Sequence, residues 1–188
     1  MQRLFILILV FFSITIIPSS CRSYDKIKSK IIPEKTIVVK YTPSQVSIGN
    51  NLGKNVFDIA IDSSQKNDLP PEFKELGEIT VARLKEKFPD KQILLNSDIS
   101  AIYLEIKDRV FYDYRKENIT LKMMVDLTFK DSSGRQLQWL PKFATVTETS
   151  AFTGSFLKDM IKALPPEKYF PALKAEYNRK LTDLLLKL

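Results

Sequence analysis

The chain of 188 residues contains no histidine at all, a single cysteine, five glycines and one tryptophan. Each shortage excludes something. Without histidine there is no Ser-His-Asp or Cys-His machinery, no ordinary zinc site and no side chain that titrates unperturbed near neutral pH. One cysteine cannot close an internal disulfide. The glycines, at 49, 53, 77, 134 and 154, form no phosphate-cradling loop. Long apolar runs are scarce as well. Residues 4–17, LFILILVFFSITII, are fourteen uncharged residues, short of the roughly 20 needed to span a bilayer.

That run has the length of the apolar core of an export signal. Arg3 supplies a positive start before it, and Pro18-Ser19-Ser20 supplies a helix stop and small residues after it. Cys21 follows directly. The arrangement resembles the bacterial lipobox, in which a cysteine after small residues is acylated and becomes the mature N-terminus; Pro18 stands where the lipobox usually has an aliphatic residue. The alternatives are cleavage near Ser20 with an incidental thiol, or an uncleaved, membrane-retained N-terminus. Acylation would anchor the chain, since each buried methylene is worth about 0.8 kcal/mol. Arg22, where resemblance to diderm lipoproteins makes Asp an inner-membrane signal, points to the outer membrane, facing the periplasm. The expected organisation is a signal peptide over residues 1–20, a lipid-anchored tether over 21–35 and one domain over 36–188.

The formal charge of +7 falls by only one when Arg3 leaves with the signal. A basic excess attracts anionic surfaces over a Debye length of about 8 Å. For an exported chain those are lipid headgroups, lipopolysaccharide and wall polymers, and nucleic acid is not an expected partner. A merely solvated lysine-rich surface is the alternative.

Residues 36–41, TIVVKY, are β-branched and aromatic and read as a strand; 47–53 gather Gly and Asn and read as a loop; 55–62, NVFDIAID, read as a second strand. Pro70 and Pro71 open a helix carrying Phe73, Leu76, Thr80, Leu84 and Phe88 on one stripe, and Pro89 ends it. Residues 101–149 give the strongest signal. Ile102, Leu104 and Ile106 alternate with Tyr103, Glu105 and Lys107, and Ile119 to Phe129 alternate with Thr120 to Lys130. A connection is expected around 113–117 and a tight turn at Asp131-Ser132-Ser133-Gly134. A third strand follows, broken or bulged at Pro141, completing a meander with one buried and one wet face. Two helices close the chain, one over 156–164 and one from Pro171. The expected fold is α+β, an antiparallel or mixed four- to five-stranded sheet with helices packed on one face.

No cofactor or metal is implied, and no catalytic residue is assigned. Asp108 and Asp113 are expected to flank a turn and Asp126 to lie on the wet face. Such carboxylates are ordinarily solvated surface, and a cation would want several oxygens converging. The segment KDRVFYDYRK, residues 107–116, instead packs basic and aromatic side chains together beside Lys122. Cations suit phosphate, and Phe or Tyr suit an acyl or sugar surface. The alternative is that the aromatics plug a sheet edge while the charges keep it from aggregating.

From residue 36 to the C-terminus the pattern resembles small α/β envelope lipoproteins. It is similar above all to the lipopolysaccharide-assembly lipoprotein family, and about as similar to YajG-type lipoproteins. The segments that carry the likeness, besides the cysteine and early strand, are EFKELGEITVARLKEKF, DISAIYLEIKD, ENITLKMMVDLTFKD followed by SSGR, and the C-terminal helix. The Pro-rich segment 164–171 departs from it. The resemblance implies a plug-like partner of an outer-membrane β-barrel that helps deliver lipopolysaccharide, with Lys107, Arg109, Arg115, Lys116 and Lys122 facing an anionic glycolipid. A free-standing periplasmic or surface-exposed binding lipoprotein, adhesin-like or wall-associated, is the competing expectation.

Overall fold

The computed structural model describes residues 19–42, 46–50, 71–115, 117–153 and 157–188. The elements are α1 (Ser19–Ile31), β1 (Thr36–Thr42), β2 (Val46–Asn50), α2 (Pro71–Lys87), β3 (Gln92–Leu95), β4 (Ile102–Arg115), β5 (Asn118–Lys130), β6 (Gln136–Ala151), α3 (Leu157–Ala163) and α4 (Pro166–Lys187). The fold is α+β. Among the described residues six strands occupy five positions in the order β3-β1-β4-β5-β6, because β1 and β2 both lie parallel to β4, one after the other along it. β4, β5 and β6 form the expected antiparallel meander, and β1 and β3 pair in parallel at the opposite edge.

The two-residue period of β4 and β5 decides which face is dry. Ile102, Leu104, Ile106, Val110 and Tyr112 of β4 join Ile119, Leu121, Met123, Val125, Leu127 and Phe129 of β5 in one buried cluster. The helices cover that face. α2 and α4 pack side by side with Phe73 on Phe170 (ring centroids 4.6 Å apart), Lys174 on Glu75, Thr80 on Tyr177 and Arg83 on Asn178. These contacts advance together along both helices, so α2 and α4 run parallel. Gly77 lets α2 approach the sheet closely: a Cβ there would lie 3.0 Å from Leu95 Cδ1 and 3.4 Å from Tyr41 Cβ. α4 starts on Pro166, where a missing N–H costs nothing, and carries Pro171 inside. The burial of Phe170, Leu173, Tyr177 and Leu181 on its inner face offsets the one helical bond lost.

Several expectations are corrected. The charged stretch 21–35 is not a loose tether: helix α1 spans most of it, and Ile27 and Ile31, one turn apart, are fully buried in the core. Few apolar residues are needed to dock a helix when they sit at i and i+4. Residues 46–50, read mostly as loop from Gly49 and Asn50, pair with β4 as a strand. The expected connection at 113–117 is mostly strand, since β4 runs on to Arg115 and turns within two residues into β5. β3 carries no alternation long enough to detect and is held by its partner β1. The second strand expected at 55–62 lies outside the described residues. Among the described residues no helix is long and apolar enough to cross a membrane.

Candidate functional site

The side of the sheet away from the helices is where β4 and β5 place their odd- and even-numbered polar residues respectively. Antiparallel register sets Tyr103 opposite Lys130, Glu105 opposite Thr128, Lys107 opposite Asp126, Phe111 opposite Lys122 and Asp113 opposite Thr120. Neighbours across and diagonal to one another are within reach of long side chains, and ion pairs form along the ladder. Glu105 takes Lys130 at 3.0 Å and Lys107 at 3.5 Å; Arg109 donates to Asp126; Lys122 approaches Asp113 at 3.7 Å. The face is basic on balance, but its acids are interleaved with its cations.

Asp126 is the pivot. Leu140 pairs with Leu127 and Ala144 with Val125, so Pro141, Lys142 and Phe143 bulge out opposite Asp126 alone. Lys142 takes φ +50°, a left-handed backbone unusual for a residue with a Cβ. Its N–H donates to Asp126 Oδ1 at 2.8 Å, while the Arg109 guanidinium donates to Oδ2. One carboxylate thus holds both the β6 bulge expected at Pro141 and the Arg109 side chain.

Beside it lies an open trough of about 410 Å³ lined by Glu105, Lys107, Asp126, Thr128, Lys130, Gln136 and Trp139, the indole half exposed. At its end Tyr103 sits between two ammonium groups, Lys40 at 4.6 Å and Lys130 at 5.6 Å from the ring centroid. The hydrogen bond to Glu105 holds the Lys130 ammonium above the ordinary lysine range against the opposing effect of burial. The turn at the head of the trough is built as its sequence suggests. Asp131 Oδ1 accepts the N–H groups of Ser133 and Arg135, and Gly134 takes φ +84°.

Of the residues singled out from sequence, Lys107, Arg109 and Lys122 therefore share this face, each beside a carboxylate. Arg115 ends β4, its backbone in register with Asn118, and Lys116 lies outside the described residues. Asp108 is not at a turn. It points to the core between Ile106 and Val110, buried near Tyr41, whose hydroxyl is pushed above the ordinary tyrosine range by burial and by the Asp108 charge. Tyr112, on the same side, donates to the Leu164 carbonyl at 2.8 Å. Asp113 too lies within β4 and is largely buried. Among the described residues no three metal-ligating side chains converge. Tyr103, Glu105, Lys130 and Trp139 were missed as site residues. Continuing the two-residue alternation of 107–109 back along β4 and across to β5 would have found the first three. Trp139 depends on the bulge-shifted register of β6. Cys21 lies in the first turn of α1.

No family model matches the chain, and no curated protein matches it. Among solved structures it is similar to a minor lipoprotein from Acinetobacter baumannii, at 11% identity over 81% of this chain and 95% of that one, with a TM-score of 0.35. The rare lipoprotein B from Shewanella oneidensis gives 10% identity, 78% and 92% coverage and a TM-score of 0.32. An uncharacterized lipoprotein B from Nitrosomonas europaea gives 10%, 78% and 83%, and 0.28. Likenesses this loose carry no argument about activity or partners.

Proposed function

We propose that this chain is an exported bacterial lipoprotein, acylated at Cys21, that works in the cell envelope as a non-catalytic accessory. One observation carries the reading. The only cysteine follows a fourteen-residue uncharged run, Pro18 and two serines, and it lies in the first turn of a helix whose Ile27 and Ile31 are locked into the core. Cys21 precedes Ile27 by six residues, roughly 9 Å along a helix, so acyl chains on that sulfur would hold the folded body against a bilayer. The non-catalytic reading is supported by the absence of histidine and by the structural employment of Asp126 in the bulge and Asp108 in the core.

The finer proposal places the chain on the outer membrane, facing the periplasm, beside a β-barrel protein in lipopolysaccharide assembly. Lys107, Arg109 and Lys122, with Arg115 at the strand end and Lys116 next to it in sequence, would meet an anionic glycolipid. The open sheet face favours a second reading as well. Glu105, Asp113 and Asp126 already balance much of its positive charge, which suits a neutral hydrogen-bonding partner such as a wall glycan on a free-standing lipoprotein.

In-cell crosslinking followed by mass spectrometry tests these together. An acylated N-terminal Cys21 peptide and crosslinks from β4 and β5 to a membrane barrel support the assembly role. Crosslinks to wall material, with the body protease-accessible on intact cells, favour the second reading. Cys21→Ala should release the protein from membranes; a wild-type chain that is unacylated and freely diffusing would end the proposal.

A further inference from the structure

We infer that the pole of the body formed by α1 and the C-terminal ends of α2 and α4 is a docking surface for anionic phospholipid headgroups. The inference rests on the membrane anchoring proposed above and goes beyond it, since an acyl anchor alone leaves the body free to rotate about its attachment. Because α2 and α4 are parallel, their C-termini arrive together: Arg83, Lys87, Leu185 and Leu186 border one shallow groove. α1 is fixed across the same pole at both ends. Near its start the Lys187 ammonium lies 5.4 Å from the centroid of the Tyr24 ring. Just past its end the Ile32 and Glu34 carbonyls accept from Lys91, which follows α2. Tyr24 is only three residues beyond Cys21, so the anchor emerges at this pole and nowhere else on the body.

The exposed chemistry there matches a headgroup layer. Lys26, Lys28 and Lys30 stand exposed on α1, with Lys87 and Lys187 at the helix ends, against Asp25, Glu34 and Glu86. Leu186 is 76% exposed and Ile32 is 62% exposed, the two highest values among the large apolar side chains of the described residues. Scattered exposed apolar residues are ordinary. Two bracketing a lysine-rich surface, beside a membrane anchor, give the combination of shallow apolar insertion and phosphate attraction that interfacial helices use. The occupant is the bilayer surface itself, with the phosphates of its anionic lipids on the lysines. Each lysine is expected to shift the balance between docked and undocked body by about fivefold on an anionic surface.

The test uses the full-length protein, isolated from its producing membranes and reconstituted in phosphatidylethanolamine/phosphatidylglycerol vesicles carrying a headgroup spin label. Trp139→Phe removes the native indole, and a single tryptophan is placed at Leu186 or at Thr149, toward the far end of β6. Both positions are exposed, so neither change should disturb folding, which circular dichroism verifies. Tryptophan at 186 should be quenched well above tryptophan at 149. The excess should fall when phosphatidylcholine replaces phosphatidylglycerol and when Lys26, Lys87 and Lys187 are all changed to Glu. Quenching no stronger at 186 than at 149, or unmoved by lipid charge, overturns the headgroup surface. The N-terminal peptide mass from the same sample separates the two ideas. Acylated Cys21 with an unquenched 186 leaves the anchor and removes the docking surface; unacylated Cys21 with a strongly quenched 186 does the reverse.

Discussion

β4 presents two chemistries on its two sides. Toward the helices it puts Ile102, Leu104, Ile106, Val110 and Tyr112 into a core shared with α1, α2 and α4; away from them it puts Tyr103, Glu105, Lys107, Arg109 and Phe111 into a ladder of charges and rings. On the first side stability comes from apolar area removed from water and from close packing, neither of which is subject to Debye screening. On the second it comes from half-solvated ion pairs, each worth little and each screened by salt. A surface of the second kind can be rearranged by evolution or by a ligand at small cost to the fold, which is what a recognition face requires. Asp108 and Asp126 cross this division: one puts a carboxylate in the core, and the other makes a polar residue of the open face structural.

The contrast can be broken by substitution. Leu121→Ala, in the centre of the core face, should lower unfolding stability by about 2–5 kcal/mol in urea titrations, with the slope unchanged. Ile27→Ala should approach that size, about 2–4 kcal/mol, because α1 is part of the core; a negligible loss would restore the picture of a loose tether. Asp126→Ala, on the open face, should cost about 1–3 kcal/mol by leaving the Lys142 N–H and the Arg109 guanidinium unpaired. A cost below that range would return Asp126 to the ordinary polar surface. Lys107→Ala should cost less than about 1 kcal/mol, so any loss of crosslinking or function in that variant would report on recognition rather than folding.

The smallest effect is one of pH. Glu105 holds the Lys130 ammonium above its ordinary range, so the folded state keeps this proton more tightly than the unfolded chain does. The stabilisation is therefore complete below the ordinary lysine range and is lost as pH rises through the folded value. The difference in melting temperature between wild type and Lys130→Met should stay constant through neutral pH and shrink in strong alkali. A difference that varied between pH 6 and 8 would assign the effect to another group.

Much of this architecture was legible because strands with one wet face write their period into the sequence. The alternation over 102–107 and 119–129, the Asp131–Gly134 turn, the break at Pro141 and the Pro-opened helix α2 could all be read locally. β3 and β2 could not, since four or five residues carry no resolvable period and their pairing is supplied by neighbours distant in sequence. The candidate face was half legible. Composition points to Lys107, Arg109 and Lys122, but not to their pairing with Glu105, Asp126 and Asp113. Pairing across β4 and β5 follows from register, and register follows from where the β4–β5 hairpin turns, which lies beyond Arg115 rather than at Asp113.

By itself the sequence determined the local periods, the turns, the lack of histidine chemistry, and the run of apolar and small residues that ends at Cys21. Only the tertiary structure decided that α1 belongs to the core, that Asp108 faces inward, and that α1 and two helix C-termini share one pole. The reason is physical: hydrophobic periodicity is set by backbone geometry within a few residues. Whether two isoleucines in a charged stretch stay in water or fill a gap depends on the shape of the cavity that the rest of the chain leaves for them.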